Sequence, residues 1–360
     1  MNEAYVRKIV LQPTSLCNLN CTYCYLSNRQ KNLKMSPDIV SKVVEYALRV
    51  PNIISIVWHG GEPLACGYQH FLQLIEPFAS LEKEGKIIHY IQTNATLIDD
   101  NFCDLFLSHN VHVGISLDGP IQLNRNRLDW AGKESFSKIM KGVQLLKEHS
   151  IPFSVIAVVN RESLTKAGEI YKFFSGIGCH TLGINIEEKE GLNQNREISD
   201  DIEVTRFWED LFKLWTSDPI IEIREFRHVL SWAEAVLENR VQNHTPYDFD
   251  MFPSVAWNGD VTVLSPEFLG EKSEYYKDFL VGNVLSNPLE TIIARSLSVS
   301  YVVDYELGVQ ECLNSCAYFS FCRGGQASNK FFELGSTKAL ETAYCRNSKQ
   351  RLVDAVLQSL

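Results

Sequence analysis

The first 190 residues predict an α/β fold built on a parallel sheet. Two observations carry this expectation. Short apolar runs of strand length alternate six times with stretches of helical periodicity, the order expected of β–α units with helices outside a sheet. Polar and glycine-bearing residues recur just past the carboxyl end of those runs, where function gathers in such folds. Six units are too few for a closed eight-stranded barrel, so a partial barrel and a doubly wound sheet both fit.

Residues 8–13 form the first expected strand. Ser36-Pro37-Asp38 opens a helix with a Ser cap, Pro at the first helical position and an acid in the first turn; Ile39, Val43, Val44 and Ala47 continue it at helical spacing. Further strands are expected at 53–58, 87–92, 111–117, 153–159 and 180–186, with helices at about 69–84, 99–109, 135–149 and 163–175. The polar segment 188–199 reads as a domain boundary. Beyond it come helices at 200–216 and 226–240, bearing Phe207, Trp208, Phe212, Trp215 and Trp232. A hairpin at 255–265 turns on Asn258-Gly259, a cysteine-rich segment spans 312–345, and a helix at 342–357 closes the chain. The expected organisation is a core over 1–190, a helical bridge over 191–250 and a C-terminal region over 251–360.

The 360 residues carry 34 basic and 44 acidic side chains, a net charge of −10, which leaves no basic excess for neutralising nucleic-acid phosphates. No apolar run is long enough to cross a membrane, and Met1-Asn2-Glu3-Ala4-Tyr5 lacks the apolar core of a signal peptide. Neither nucleic acid nor membrane is therefore expected as a partner, and the cytoplasm is the expected compartment. There, ten cysteines do not make a disulfide framework. Cys66, Cys103 and Cys179 are isolated and read as small buried hydrophobes. The other seven fall into two groups.

Cys17-x-x-x-Cys21-x-x-Cys24 follows the apolar run Ile9-Val10-Leu11. Three thiolates so close in sequence can converge on one soft metal centre. A [4Fe–4S] cube takes four protein thiolates, so three leave one iron open, which means chemistry rather than structure. Cys312, Cys316, Cys322 and Cys345 form a complete set of four, able to close around a second iron–sulfur cluster or a zinc ion. The strand-end residues expected to face one cavity are His59-Gly60-Gly61-Glu62-Pro63, Thr93-Asn94-Ala95, Ser116-Leu117-Asp118-Gly119-Pro120 and Asn185-Ile186-Glu187-Glu188.

The cysteine spacing, the aromatic Tyr23 before the last thiol and the Gly60-Gly61-Glu62-Pro63 loop together resemble the radical S-adenosylmethionine (radical SAM) enzymes. The resemblance implies a partial (β/α)6 barrel and a [4Fe–4S] cluster on Cys17, Cys21 and Cys24 whose open iron takes the amino and carboxylate groups of SAM. It further implies reductive cleavage of SAM to a 5′-deoxyadenosyl radical, the hard chemistry belonging to the cofactor. By the same resemblance Tyr23, Gly60, Gly61, Glu62, Asn94, Ser116 and Asp118 contact SAM. Arg127 pairs with its carboxylate as a planar two-pronged donor, with Arg125 close enough to compete for that role.

The segment from Cys312 to Cys345 resembles the C-terminal SPASM/twitch-type auxiliary-cluster domain of peptide- and protein-modifying members. The full SPASM pattern has about seven cysteines and two clusters; four here imply one fully ligated auxiliary cluster, expected to be [4Fe–4S]. Asn185 to Gly191, Tyr318 to Glu333 and Glu341 to Arg346, with Ser265-Pro266-Glu267, resemble the glycine-rich-repeat-associated and cyclophane-forming peptide maturases. These imply a ribosomal precursor peptide as partner, and the radical chemistry implies an electron donor such as flavodoxin or ferredoxin. The implied reaction is β-hydrogen abstraction followed by attack on an aromatic ring, with Glu187, Glu188 or Glu267 taking the ring proton. Residue oxidation, as in sulfatase-maturating enzymes, is the main alternative. Epimerisation is another; it needs a thiol, Cys179 or Cys66, in the cavity.

Overall fold

A computed structural model describes residues 6–194, 202–240 and 251–360. The expected boundary at 188–199 and the expected bridge over 191–250 therefore lie partly outside the described residues, as does the N-terminal segment 1–5. Ten strands follow in chain order: β1 (Lys8–Leu11), β2 (Ile54–Trp58), β3 (Ile87–Thr93), β4 (His112–Ser116), β5 (Phe153–Val159), β6 (Thr181–Ile186), β7 (Glu222–Ile223), β8 (Ser254–Val255), β9 (Asp260–Thr262) and β10 (Gly282–Asn283). The α-helices are α1 (Pro37–Arg49), α2 (Tyr68–Ile75), α3 (Ala79–Lys83), α4 (Asp100–Ser108), α5 (Phe136–Glu148), α6 (Ala167–Ile177), α7 (Ile202–Ser217), α8 (Arg224–Leu237), α9 (Leu289–Ser296), α10 (Ser300–Ser315), α11 (Phe319–Cys322), α12 (Ala327–Leu334), α13 (Ala343–Cys345) and α14 (Arg351–Gln358). β1 to β6 fall where the apolar runs place them.

Two compact units interleave along the chain. The first is Met1–Gly114, Leu128–Pro152 and Asp250–Val303; the second is Ile115–Arg127, Phe153–Phe249 and Asp304–Leu360. In the first, β1 lies between β2 and β8 and runs parallel to both. β2 pairs with β3 in parallel register from Ile54↔Ile87 to Trp58↔Ile91. The hairpin on Asn258-Gly259 forms as expected: β8 and β9 pair antiparallel, and Gly259 takes the positive φ of 88° that such a turn requires. In the second unit β5, β6 and β7 pair in parallel, with Ser154↔Thr181 through Val159↔Ile186 in register.

Two helices depart from expectation. The single helix at 69–84 is broken into α2, a 3₁₀ turn at Glu76–Phe78 and α3. Pro77 lacks the N–H and crowds the preceding turn, so the α-ladder cannot continue through it. The closing helix is divided by a π-helical stretch, Arg346–Gln350, between Cys345 and α14. Ser36 precedes α1 but its side chain makes no cap bond, leaving Pro37 as the helix start. Asp99 does cap α4, accepting from Phe102 N–H at 3.0 Å.

The core of the first unit centres on Trp58, stacked edge-on against Phe71 (5.2 Å) and Phe78 (6.2 Å), with its indole N–H donating to His89 Nδ1 at 3.2 Å. In the second unit the aromatic residues of α7 meet Phe226 of α8: Trp208 at 6.1 Å, Phe212 at 5.0 Å and Trp215 at 5.6 Å. Trp208 also donates to the Asn347 carbonyl (2.9 Å), and Trp232 packs on Phe321 (5.5 Å), so these helices support the cysteine-rich segment within the same unit.

Gly142, inside α5, sits where a Cβ would lie 2.2 Å from the Ala95 carbonyl oxygen. Gly142→Ala is expected to destabilise the protein by about 1–3 kcal/mol, the usual cost of overpacking, as a lower urea midpoint.

Candidate active site

The loop after β1 is closed by backbone pairing across its own base. Ser15 N–H donates to Leu33 O (3.0 Å), Cys17 N–H to Arg29 O (2.8 Å) and Met35 N–H to Pro13 O (2.9 Å). Thr14 and Ser15 hydroxyls reinforce it through Leu33 O and Lys31 O. At the tip, Cys24 N–H donates to Cys21 O (3.2 Å), turning the chain between two of the three thiols. The far side is held by residues 128–130. Asn20 N–H donates to Leu128 O (2.6 Å), and the Trp130 indole N–H donates to Cys17 O (2.8 Å). Arg29 lies 5.6 Å from the Trp130 ring and donates to Cys21 O at 3.4 Å.

Beneath this loop runs the glycine loop after β2. A Cβ on Gly61 would stand 2.6 Å from Leu16 O, 2.8 Å from Thr14 O and 3.0 Å from Ser15 O, and its φ is +62°; only glycine fits. Glu62 N–H donates to Leu16 O at 2.8 Å. The Glu62 carboxylate, 1% exposed, accepts from Leu64 N–H (3.1 Å), the Thr93 hydroxyl (2.6 Å) and Asn94 N–H (2.7 Å). Burial pushes its carboxyl up to about 7 despite those three donors. Asn94 continues the chain of contacts. Its amide donates to Asn18 Oδ1 at 2.9 Å, Asn18 donates to Thr96 Oγ1 at 2.7 Å, and Thr96 donates back to Asn94 Oδ1. Asn18 and Thr96, unremarked in the sequence, thereby tie the cysteine loop to the end of β3.

Cys17 Sγ accepts from Leu19 N–H at 3.4 Å and faces the Asn94 amide at 4.0 Å, contacts suited to a thiolate. Burial first, then the Glu62 charge, raises its thiol above the usual value; Cys21 and Cys24 add to this. These three thiols thus share one field. Among the described residues no three Cys, His, Asp or Glu side chains gather around a single ion-sized point. A four-iron cube takes one thiolate per iron, so its ligands stand around the cube, and the donor set fits that group. Tyr23, on the same loop, is half-buried.

In the second unit Asp118 and Arg127 form a buried ion pair at 3.0 Å, 3% and 6% exposed. Asp118 also accepts from Val158 N–H (3.1 Å), and its own N–H donates to Asn124 Oδ1 (3.2 Å). The structure thus orients Arg127 through Asp118. Ser116 is half-buried at the end of β4. Glu187 and Glu188 follow β6. Asn193 reaches Glu187 Oε1 at 3.5 Å, and Asn329 donates to the Glu188 carboxylate. Glu267 belongs to the first unit, where it accepts from the Ser265 hydroxyl and burial holds its carboxyl above the usual range.

The C-terminal quartet lies wholly in the second unit. Cys316 N–H donates to Cys312 O (2.9 Å), Cys322 ends α11, and Thr342 caps the turn of Cys345 at 3.0 Å. Gly325, at φ +76°, is where a Cβ would touch Cys345 Sγ at 3.4 Å. The quartet's donors also fit a closed four-thiolate centre. The isolated cysteines are buried as expected, and burial pushes Cys66 and Cys179 each up to about 12, which leaves neither as a ready thiolate or reactive thiol.

The sequence profile of the Radical SAM superfamily matches residues 11–174, the span that holds the cysteine and glycine loops. The uncharacterised protein sll1766 of Synechocystis is 34% identical over 370 residues, covering 98% of this chain and 91% of that protein. The chain belongs to the radical SAM superfamily. It is a radical SAM enzyme, and as in that family it uses a [4Fe–4S] cluster and SAM. A cysteine-type anaerobic sulfatase-maturating enzyme of Clostridium perfringens is 27% identical over 373 residues, 95% of this chain and 94% of that protein. Two solved structures share the radical SAM fold. Native anSMEcpe with bound AdoMet and Cp18Cys peptide has a TM-score of 0.78 at 23% identity, covering 98% of this chain and 96% of that one. Streptococcus suis SuiB bound to precursor peptide SuiA has a TM-score of 0.67 at 18% identity, covering 95% and 76%. No described helix of this radical SAM enzyme is long and apolar enough to cross a membrane.

Glu62→Gln places an amide nitrogen among three donors and is expected to destabilise the radical SAM core by about 1–3 kcal/mol in urea unfolding. Because the folded carboxyl is raised from 4.5 to about 7, its contribution in the iron-free protein is full below about pH 4.5 and is lost as pH rises to about 7. Glu62→Gln is expected to flatten that part of the stability–pH curve.

Proposed function

We propose that this radical SAM enzyme is a peptide maturase that crosslinks a ribosomal precursor peptide, joining a β-carbon to an aromatic ring. The observation that carries the reading is the three-thiol loop laid on the glycine loop and pinned to the end of β3. Its peptide substrate is supported by the shared fold with SuiB, solved with its precursor peptide, and with anSMEcpe, solved with a peptide.

On this reading Cys17, Cys21 and Cys24 hold the cluster, and residues 1–190 carry the SAM chemistry. The bound cluster and SAM supply a 5′-deoxyadenosyl radical that takes a hydrogen atom from an unactivated carbon. Gly60 and Gly61 leave backbone, not side chain, against the SAM methionine portion, and Glu62 and Asn94 hold that loop in place. By the family resemblance Tyr23, Ser116, Asp118 and Arg127 are further SAM contacts, and within the second unit Asp118 holds the Arg127 guanidinium at 3.0 Å. Region 251–360 carries the auxiliary cluster on Cys312, Cys316, Cys322 and Cys345. The ring radical left by the new bond must shed one electron, which the auxiliary cluster would accept, and one proton. Glu267 is suited to accept the proton, since burial makes it more basic than an ordinary carboxylate. Glu187, held weakly by Asn193, is the second candidate; Glu188 is the third and is already engaged by Asn329.

A second reading is residue oxidation, supported by the match to a sulfatase-maturating enzyme along nearly its whole length.

Reconstituted protein with SAM and dithionite is expected to release 5′-deoxyadenosine, and Cys17→Ala, Cys21→Ala or Cys24→Ala is expected to reduce this to background. Mass spectrometry of the peptide encoded beside the gene is expected to show loss of two hydrogens with no reactivity toward a hydrazide. A hydrazide-reactive carbonyl supports oxidation instead, and deuterium uptake without mass loss supports epimerisation. Glu267→Gln is expected to lower crosslink yield by about 10²–10⁴-fold while sparing deoxyadenosine release. Unchanged yields in Glu267→Gln, Glu187→Gln and Glu188→Gln alike would remove all three acids from the mechanism.

A further inference from the structure

The start of α12 carries three consecutive polar residues, Ser328, Asn329 and Lys330, each 0% exposed. Ser328 Oγ, Asn329 Oδ1 and Lys330 Nζ have no hydrogen-bond partner among the described residues. The lysine is the severe case. A buried ammonium without a partner costs several kcal/mol, so a protein keeps one only where something compensates it. Lys330 Nζ lies 5.3 Å from the centre of the Tyr305 ring. The Tyr305 hydroxyl donates to Gly325 O (2.7 Å), and Gly325 packs against Cys345 Sγ. Burial works against the lysine's charge and holds its pKa below the usual value, while the thiols of Cys312, Cys345 and Cys322 favour the charged form; the same three act on Tyr305. A second cation, the half-buried Lys349, acts on Cys322 but is already engaged by Tyr344, 5.3 Å from that ring. Lys330 thus lies in the electrostatic field of three members of the quartet, on the Tyr305 ring whose hydroxyl binds Gly325 beside Cys345.

We propose that Lys330 is a built-in counter-charge for the auxiliary iron–sulfur cluster held by Cys312, Cys316, Cys322 and Cys345, positioned to raise that cluster's reduction potential. The inference rests on the auxiliary-cluster reading above. Four thiolates give such a centre a net negative charge that grows on reduction, and cluster potential follows net charge and burial. A fixed positive charge at a fully buried position favours the reduced form most, because little solvent screening intervenes. Lys330 is a positioning residue in this account: it binds neither iron nor peptide. The Tyr305 ring and the Gly325 turn hold its ammonium near the thiols.

The test uses the full chain with Cys17, Cys21 and Cys24 all replaced by Ala, so that any remaining cluster belongs to the quartet. After anaerobic reconstitution with iron and sulfide, iron and zinc are quantified and the midpoint potential is read by dithionite titration followed by electron paramagnetic resonance. Lys330→Met is expected to cut the reduced-to-oxidised ratio at a fixed potential at least tenfold, about 59 mV for a one-electron couple. Lys330→Arg is expected to restore it. Iron bound with an unchanged potential in Lys330→Met overturns the proposal while leaving the auxiliary cluster standing. A quartet that binds zinc or no iron overturns the auxiliary-cluster reading and this proposal with it. If Lys330→Met loses the cluster and Lys330→Arg keeps it, the charge requirement stands; loss from both variants overturns it.

Discussion

Three backbone carbonyls of the cysteine loop, those of Thr14, Ser15 and Leu16, press against the α-carbon of Gly61. Any side chain there would push the two loops apart, so the site depends on one missing methyl group. The consequences run outward from that contact. With the loops in register, Glu62 N–H reaches Leu16 O, and the Glu62 carboxylate turns back to gather Leu64, Thr93 and Asn94. Asn94 in turn reaches Asn18, between Cys17 and Cys21. The ends of β1, β2 and β3 are thereby joined through polar contacts, those from Glu62 to Leu16, Thr93 and Asn94 and from Asn94 to Asn18 crossing between loops. A network this complete holds a fixed arrangement, because undoing any one bond strands a buried partner.

The two thiol groups sit in opposite electrostatic surroundings. Cys17 has a buried carboxyl, Glu62, beside it, and that neighbour opposes ionisation of the thiol. The quartet is faced by the buried Lys330 and the half-buried Lys349, which favour the thiolate. Two iron–sulfur centres with the same ligand chemistry would differ in potential for this reason alone. Mechanical support differs as well. The first loop is braced by Trp130 and Arg29 and by its own base. The quartet is braced by aromatic packing, with Trp232 on Phe321 beside Cys322, and by Glu333, whose carboxylate accepts from Ala343 N–H (2.5 Å) and Tyr344 N–H (3.1 Å) next to Cys345.

Membership of the radical SAM superfamily fixes how the reaction begins more firmly than how it ends. The radical is set by the cofactors and the loops that hold them, whereas crosslinking, oxidation and epimerisation diverge only after hydrogen abstraction. What separates them is whether a base, an electron acceptor or a thiol meets the substrate radical. Burial of Cys66 and Cys179 weighs against the thiol, and the raised basicity of Glu267 weighs for a base.

From sequence alone, the alternation of apolar runs located all six expected strands, because buried parallel strands need continuous apolar residues and their turns need glycine and polar groups. Cysteine spacing likewise marked both thiol groups, since ligands from one loop must be close in sequence. Tertiary structure alone decided what crosses between elements. No pattern in the chain announces that Glu62 faces Thr93 and Asn94, that Arg127 is held by Asp118, or that Trp130 donates to Cys17 O. Pro77 was visible, yet its break in the helix emerged only with the fold. Lys330 is the sharpest case. In sequence it is an ordinary lysine in a short helix, and only burial, with no hydrogen-bond partner among the described residues, makes its charge a demand on the neighbouring thiols.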